Sequence, residues 1–154
     1  IQLGLLVSIV LLPPLVYFGL ASAFRTLGLN PLQIRELPGR EPNRYFLWPG
    51  KEGYFGAHDY GTDLLTGLPP QSVLIADYTP YQTLLYLQTI GQLRPDVTLV
   101  PIGAADDLAG VLQGQPGAAP IFLADNDPRY YGWSAISGVQ LEQQGLAYRI
   151  VRVP

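Results

Sequence analysis

The sequence predicts an α/β protein with one N-terminal transmembrane helix and a small three-layer, Rossmann-like domain of about four mostly parallel strands. Two observations support this fold class. The chain opens on an apolar run without charge, from Ile1 to Phe24. Beyond residue 57, apolar runs of strand length alternate with segments of helical spacing. Strands that alternate with helices form βαβ units with right-handed crossovers and a largely parallel sheet.

These patterns divide the chain into a transmembrane helix at 1–27, a connecting segment at 28–56 and a soluble α/β domain at 57–154. The 154 residues give room for one domain of ordinary size and an anchor. The net charge is −3 and no block of basic residues occurs, so no nucleic-acid partner is expected. The chain begins at Ile1 and contains no Met, which predicts a processed or truncated product, or part of a longer protein.

The apolar run has the length of a membrane span. As a helix it extends about 36 Å, against a hydrocarbon core of about 30 Å. Pro13 and Pro14 lie mid-span, and proline is tolerated in membrane helices where neighbouring helices satisfy the freed carbonyl groups. We therefore expect other transmembrane helices as partners, from the same parent chain or from partner subunits.

Two alternatives remain open for this run. A secretory signal peptide would end at a small-residue site such as Ala21-Ser22-Ala23, but the apolar stretch is longer than that class requires. A buried helix of a soluble protein is rarely apolar on every face.

Basic residues after the helix favour a cytoplasmic domain by the positive-inside tendency. They are Arg25, Arg35, Arg40, Arg44 and Lys51.

The connecting segment is rich in proline, glycine, arginine and aromatic residues. Its prolines forbid a long helix, and its aromatic content is too high for a disordered linker. We expect a structured strap that covers the edge of the domain. The alternative is an amphipathic segment at the lipid headgroups, with Arg side chains facing phosphates. The residues concerned are Pro31, Pro38, Pro42, Pro49, Tyr45, Phe46, Leu47 and Trp48.

In the soluble domain, apolar runs predict strands, and spacings of three and four residues predict helices. The first predicted strand is continuously apolar, as expected for a strand covered on both faces. Pro80 suits the first position of the next helix, and the last strand alternates as at or near an edge. The predicted strands are Ser72–Ala76, Val97–Ile102, Ile121–Ala124 and Ala147–Val153, and the predicted helices are Ala57–Gly67, Tyr81–Gln92, Asp106–Leu112 and Ala135–Gly145.

Polar residues follow two of the predicted strands. In open α/β sheets, ligands bind beyond the carboxyl ends of the strands. Carboxylates at that edge suit a hard cation or a sugar hydroxyl. The alternative is that the two strand-end aspartates cap the following turns or helices, as Asp commonly does. The candidate ligand-binding residues are Asp77, Tyr78, Thr79, Asp125 and Asn126.

The sequence predicts no catalytic residue, metal ligand or cofactor. The loop after the first strand contains no Gly, so a dinucleotide fingerprint is absent. There is no Cys and no Gly-x-Ser-x-Gly motif. His58 is the only His, and its side chain and that of Asp59 are expected to point in different directions on a helix. Arg94 and Asp96 open the second strand, where a structural ion pair is expected.

Short motifs resemble the region that follows the last membrane helices of polytopic bacterial proteins similar to protein O-mannosyltransferases. They are Leu68-Pro69-Pro70-Gln71-Ser72-Val73-Leu74-Ile75-Ala76-Asp77, Leu85-Tyr86-Leu87-Gln88, Arg94-Pro95-Asp96-Val97 and Gly145-Leu146-Ala147-Tyr148-Arg149. The resemblance covers roughly residues 36–154. It implies a membrane glycosyltransferase that uses polyprenyl-phosphate sugars, with an extracytoplasmic domain. It also implies a catalytic acidic residue in an early loop, which has no counterpart in this chain.

Three functions follow as hypotheses. The first is an accessory α/β domain, the C-terminal part of a glycosyltransferase-like membrane protein, without the catalytic residues itself. The second is a non-enzymatic single-pass subunit of a larger membrane complex. The third is a small sugar- or cation-binding module that uses Asp77, Tyr78 and Asp125.

Overall fold

The computed structural model describes residues 2–29, 35, 37–46, 50–103, 106, 108–115, 117 and 119–152. The chain forms two compact units, 1–56 and 57–154. Some predicted positions lie outside the described residues, namely Ile1, Asp107 and Val153, and 30–34, 36 and 47–49 of the connecting segment, which include Pro31, Leu47, Trp48 and Pro49.

The first unit begins with helix α1, Gln2–Thr26, which continues through Pro13 and Pro14. The stretch Gly4–Thr26 of this helix has a mean hydropathy of 2.1. None of its 18 most apolar consecutive residues is buried inside the protein. The predicted apolar helix is therefore confirmed, and it is long and apolar enough to cross a membrane. A signal sequence near an N-terminus can also be long and apolar enough to meet this criterion.

After α1, the described residues of the first unit form short-range structure. A bridge pairs Leu37 with Arg40, and helix α2 spans Pro42–Phe46. Gly39 and Gly56 approach so closely that a Cβ built on Gly39 would lie 2.4 Å from the carbonyl oxygen of Gly56. The Tyr54 hydroxyl donates to the carbonyl oxygen of Gly39 over 3.0 Å. These contacts fold the connecting segment back on itself.

The second unit is built on a five-stranded mixed sheet with the order β2-β1-β3-β5-β4. β1 pairs in parallel with β2 and β3, and β5 pairs antiparallel with β3 and β4. Helices α3, α4, α5 and α6 connect or precede the strands. The elements are α3 Gly56–Thr66, β1 Val73–Asp77, α4 Tyr78–Gly91, β2 Thr98–Ile102, α5 Leu108–Gln113, β3 Ile121–Leu123, α6 Pro128–Tyr131, β4 Val139–Gln144 and β5 Ala147–Arg152.

Successive side chains of β1 point to opposite faces of the sheet, and an apolar core lies on each face. Leu74 and Ala76 pack in one core with side chains of α3 and α4. Val73 and Ile75 pack in the other with side chains of α5 and with Tyr131. Because successive side chains of a strand point to opposite faces, helices cover both faces of the sheet. All five residues of β1 are buried, as the continuous apolar run predicts.

One predicted helix was wrong. Residues 135–145 form a turn and then strand β4, so the sheet has five strands and is mixed rather than mostly parallel. The segment contains Leu, Glu and Gln, which have high helix propensity, and this explains why the sequence pattern predicted a helix. Pairing with β5 along six residues overrides that propensity. Gly145 adopts φ +63° in the hairpin turn, which glycine reaches without strain.

The start of α4 also differs from the prediction. The helix begins at Tyr78 rather than Tyr81, and Pro80 is its third residue. Asp77 is the N-cap, and its side chain accepts a hydrogen bond from the Thr79 N–H. Proline is tolerated here because N–H groups of the first helical turn have no intrahelical partner.

Gly61 allows α3 and α4 to pack closely. A Cβ at this position would lie 2.6 Å from Leu87 Cδ1 and 3.2 Å from Thr83 Cγ2. We expect Gly61→Leu to lower the free energy of unfolding by about 2 kcal/mol, since overpacking a filled core forces side chains and backbone to shift. Urea unfolding of the detergent-solubilised chain, followed by circular dichroism, measures this. Gly91→Ala is the control, because a Cβ there meets nothing within 4 Å. Equal destabilisation by both variants would contradict the packing argument.

Candidate functional site at the carboxyl edge of the sheet

The carboxyl ends of β1 and β3 lie side by side at one edge of the sheet. The chain leaves β1 through α4 towards β2, whereas β3 lies on the other side of β1. Ligands of open α/β sheets bind where the chain diverges in this way. The predicted ligand-binding residues follow these two strand ends.

Asp77 is the most buried polar side chain of this edge. It is 4% exposed, and its Oδ2 accepts a hydrogen bond of 3.0 Å from the Tyr131 hydroxyl. Its Oδ1 accepts one of 3.1 Å from the Thr79 N–H. In return, the Asp77 N–H donates to the Tyr131 oxygen over 3.1 Å. The carboxylate therefore fastens α4 and α6 to the end of β1.

Tyr131 is the residue at this edge that the sequence interpretation missed. It is the last residue of α6, 1% exposed. Burial raises the pKa of Tyr131, and the negative charge of Asp77 raises it further. The phenol therefore stays protonated and keeps donating to the carboxylate. Its partner lies 54 residues away in the chain, so no local pattern could have indicated the pair.

The loop after β3 also holds its own polar groups. Asp125 Oδ1 accepts from the Asn126 N–H over 2.6 Å. The indole N–H of Trp133 donates to the Asn126 carbonyl oxygen over 2.8 Å. The N-cap of α6 is Asp127, which accepts from the Arg129 N–H. The N-cap of α6 is therefore Asp127, two residues beyond Asp125, which the sequence had offered as a cap.

The accessible groups of this edge come from the start of α4 and the β3 loop. Tyr78 is 75% exposed, Thr79 and Asn126 are exposed, and Asp125 is half-buried. Within the described ranges, no group of three or more His, Asp or Glu side chains is arranged to hold a metal ion. The accessible set offers hydroxyl, amide and carboxylate groups, which can make hydrogen bonds to a polar ligand.

His58 lies on α3, and its Nδ1 is 3.1 Å from Asp59 Oδ1. The expectation that these two side chains point apart was wrong, since both rotate outward into solvent and meet there. They are 61% and 68% exposed. An exposed pair of this kind is stabilised by at most about 1 kcal/mol.

The amino edge of the sheet holds a denser network around Arg94. The guanidinium donates to Asp96 Oδ1 from Nε over 2.8 Å and to Asp96 Oδ2 from Nη2 over 3.0 Å. It also donates to three carbonyl oxygens at and just after the end of α3, those of Leu65, Leu68 and Pro69, over 2.7 to 3.0 Å. The predicted pair thus joins the end of α3 to the turn before β2.

Gln88 ties the same turn to α4. Its Nε2 donates to the carbonyl oxygens of Arg94 and Val97 over 2.9 and 2.8 Å. Arg94 has φ +51°, a left-handed conformation that is uncommon for a residue with a side chain. The surrounding hydrogen bonds hold the backbone there.

The Arg94 guanidinium gives the ion pair a pH dependence. Its hydrogen bonds, with one from the Gln71 N–H, hold the pKa of Asp96 well below its usual range. A lowered pKa in the folded state contributes stability above the unfolded pKa of about 4, which is lost as the pH falls below it. We expect the stability difference between wild type and Asp96→Asn to shrink when urea unfolding is repeated from pH 7 towards pH 3. A difference that stays constant with pH would contradict this.

A separate open groove lies at the amino edge, between α5 and the start of β4. Its volume is about 320 Å³, and its lining includes Leu112, Gln113, Ile136 and Val139. It is on the opposite edge from Asp77 and Asp125. The structure therefore does not bring the predicted polar residues and this groove together.

No family model, no curated protein and no solved structure matches this chain.

Proposed function

We propose that this chain is a membrane-anchored accessory α/β domain of a glycosyltransferase-like membrane protein, and that it carries no catalytic residue of its own. The apolar helix α1 supplies the anchor, since Gly4–Thr26 is long enough to span a bilayer. The α/β unit then supplies a folded body outside the bilayer.

One observation carries the proposal. Two of the four motifs that carry the glycosyltransferase resemblance are in direct contact, because Gln88 of the Tyr-Leu-Gln motif donates to the carbonyl oxygens of Arg94 and Val97 of the Arg-Pro-Asp-Val motif. Arg94 then donates to the Leu65 carbonyl oxygen at the end of α3 and pairs with Asp96. A structural use of this kind explains why these residue types occur together without forming a catalytic group.

The state of Asp77 supports an accessory role over a sugar- or cation-binding module. Its carboxylate oxygens already accept hydrogen bonds from Tyr131 and Thr79. A ligand that needed this carboxylate would have to break a buried contact first, and an interrupted buried hydrogen bond costs about 1–3 kcal/mol.

We also infer that the parallel half of the sheet is Rossmann-like. The order β2-β1-β3 places the first strand in the centre. α4 packs on one face and α5 on the other, which is the arrangement of doubly wound sheets. The β4–β5 hairpin extends this half by an antiparallel edge.

Intact-mass measurement of the native protein tests the proposal. Since the resemblance is to the C-terminal region of polytopic proteins, we expect a mass well above the 16.8 kDa of this chain. A native product of 16.8 kDa would rule the proposal out.

The resemblance implies that the α/β unit is extracytoplasmic. Single-cysteine labelling tests that orientation. The chain has no Cys, so Thr89→Cys, at an exposed position of α4, creates one thiol. We expect a membrane-impermeant maleimide to label it in intact cells. Labelling that appears only after lysis would place the unit in the cytoplasm.

A second candidate, a non-enzymatic subunit of a membrane complex, is favoured by the outer face of α4. Tyr78, Tyr86 and Ile90 on this face are 75%, 60% and 67% exposed, and α4 contains no charged residue. Depletion of charge and exposed tyrosine are typical of protein interfaces. A photocrosslinking residue at Tyr86 should then give an adduct of defined mass, and the exposed position His58 serves as the control. Equal adducts from both positions would remove this candidate.

A further inference from the structure

Basic and aromatic side chains concentrate in the segment directly after the anchor. The unit 1–56 contains five basic and three acidic residues, a net charge of +2, whereas 57–154 carries −5. A membrane with anionic headgroups therefore attracts the first unit and repels the second.

The segment after α1 is positioned by α1 itself. Helix α2 contacts α1, and Ala21 and Phe24 are half-buried while the other described side chains of α1 are exposed. The contact therefore lies at the last turns of α1, where a spanning helix leaves the hydrocarbon. Residues of α2 are held at the depth of the lipid headgroups.

Arg40 lies in this segment, just before α2. Its guanidinium carbon is 5.6 Å from the ring centre of Tyr45 and 5.7 Å from that of Phe46. One terminal nitrogen donates to the Arg35 carbonyl oxygen over 3.1 Å. The Nε atom is buried and has no hydrogen-bond partner. A buried donor without an acceptor is costly.

Lys51 provides a second cation on the same ring. Its ammonium lies 4.8 Å from the ring centre of Tyr45, and it donates to the Tyr45 carbonyl oxygen. The Lys51 side chain is exposed. Both positive groups therefore lie within 6 Å of the centre of the Tyr45 ring.

Large apolar side chains are exposed in the same unit, and one of them, Phe46, lies beside Arg40. Leu27, Phe46 and Phe55 are 67%, 46% and 65% exposed. Aromatic side chains are enriched at membrane interfaces because their rings are stable at headgroup depth. Arg40, Lys51, Tyr45 and Phe46 contact one another, and a group of basic and aromatic side chains has the composition of an interfacial membrane contact.

We propose that this surface, formed by Arg40, Tyr45, Phe46 and Lys51, binds the phosphate of anionic phospholipids in the bilayer that α1 crosses. This proposal rests on the membrane anchoring in the proposed function. The guanidinium and the ammonium bind the headgroup phosphate, and the rings lie beside the glycerol region. The α/β unit, with its net charge of −5, is not expected to bind the same headgroups.

Spin-label electron paramagnetic resonance of the full chain in liposomes tests the proposal. The measured quantity is the association of the protein with spin-labelled phosphatidylglycerol relative to phosphatidylcholine. We expect a preference of about fivefold or more for phosphatidylglycerol, the contribution of a single basic side chain near such a surface. Arg40→Gln combined with Lys51→Gln should reduce the ratio to about one by removing both cations. Arg129→Gln combined with Arg149→Gln, at exposed positions of the other unit, is the charge-matched control and should leave the ratio unchanged.

The outcomes separate the two proposals. Alkaline extraction of the same liposomes reports anchoring, and release of the chain would overturn the membrane span. Retention of the chain with a ratio near one would overturn the lipid site alone. Equal loss in both double variants would also overturn it, because bulk charge would then suffice. Inorganic phosphate at an ionic strength matched with chloride should leave the ratio unchanged, and selective displacement by phosphate would assign the site to a free anion instead. Arg40→Lys keeps the charge and is expected to retain the preference.

Discussion

Replacing Arg94 with alanine is expected to lower the free energy of unfolding of the α/β unit by about 3 kcal/mol, because hydrogen bonds to charged groups contribute about 1.5–3 kcal/mol each and several are lost together. The guanidinium binds Asp96 and the carbonyl oxygens of Leu65, Leu68 and Pro69. Its side chain is only 20% exposed, so water replaces these bonds incompletely. Urea unfolding of the detergent-solubilised chain, followed by circular dichroism, measures the change.

Two comparisons identify the cause of the loss. Arg129→Ala removes an arginine whose side chain is 74% exposed and paired with Asp127, and it should cost less than about 1 kcal/mol. Arg94→Gly loses the same hydrogen bonds as Arg94→Ala but relaxes the backbone at φ +51°, so it should be the milder variant by about 0.5–1 kcal/mol. If Arg94→Ala and Arg129→Ala lower the free energy of unfolding equally, the network at the amino edge stabilises the unit no more than an exposed ion pair does.

Replacing Tyr131 with phenylalanine is expected to lower the free energy of unfolding by about 2–3 kcal/mol, since it leaves a buried N–H and a buried carboxylate oxygen without the hydroxyl. Both groups belong to Asp77, which is 4% exposed. Tyr78→Phe is the matched control, because that hydroxyl is on a side chain 75% exposed. The control should change stability by less than about 0.5 kcal/mol.

The same variant should change the response to alkaline pH. Burial raises the pKa of Tyr131 above its ordinary value, so the folded protein keeps the phenol neutral while the unfolded chain ionises near pH 10. Stability from this group is therefore complete below about pH 10 and falls above it by up to about 1.4 kcal/mol per pH unit. The stability gap between wild type and Tyr131→Phe should narrow above pH 10 in urea titrations. A gap that is independent of pH would mean that the phenol ionises equally in both states.

Strong local signals made most of the fold predictable. The uncharged run of α1, the apolar run of β1 and the helical spacing in α4 each extend over enough consecutive residues to fix an element type. Ends of elements were less certain, as α4 shows, because the cap at Asp77 depends on which backbone N–H groups lack partners. The failure at β4 has another cause, since its residues favour a helix and only the pairing with β5 makes them a strand.

The sequence by itself determined an apolar helix of membrane-spanning length, an α/β unit after it, and which polar residues follow the ends of β1 and β3. Those properties depend on composition and on spacing over a few residues. Only the tertiary structure decided that the Asp77 carboxylate is hydrogen-bonded to Tyr131 and that Gln88 joins the turn at Arg94 to α4. Contacts across 54 residues of chain arise when the sheet and helices pack, because burial removes water as the alternative partner for each polar group.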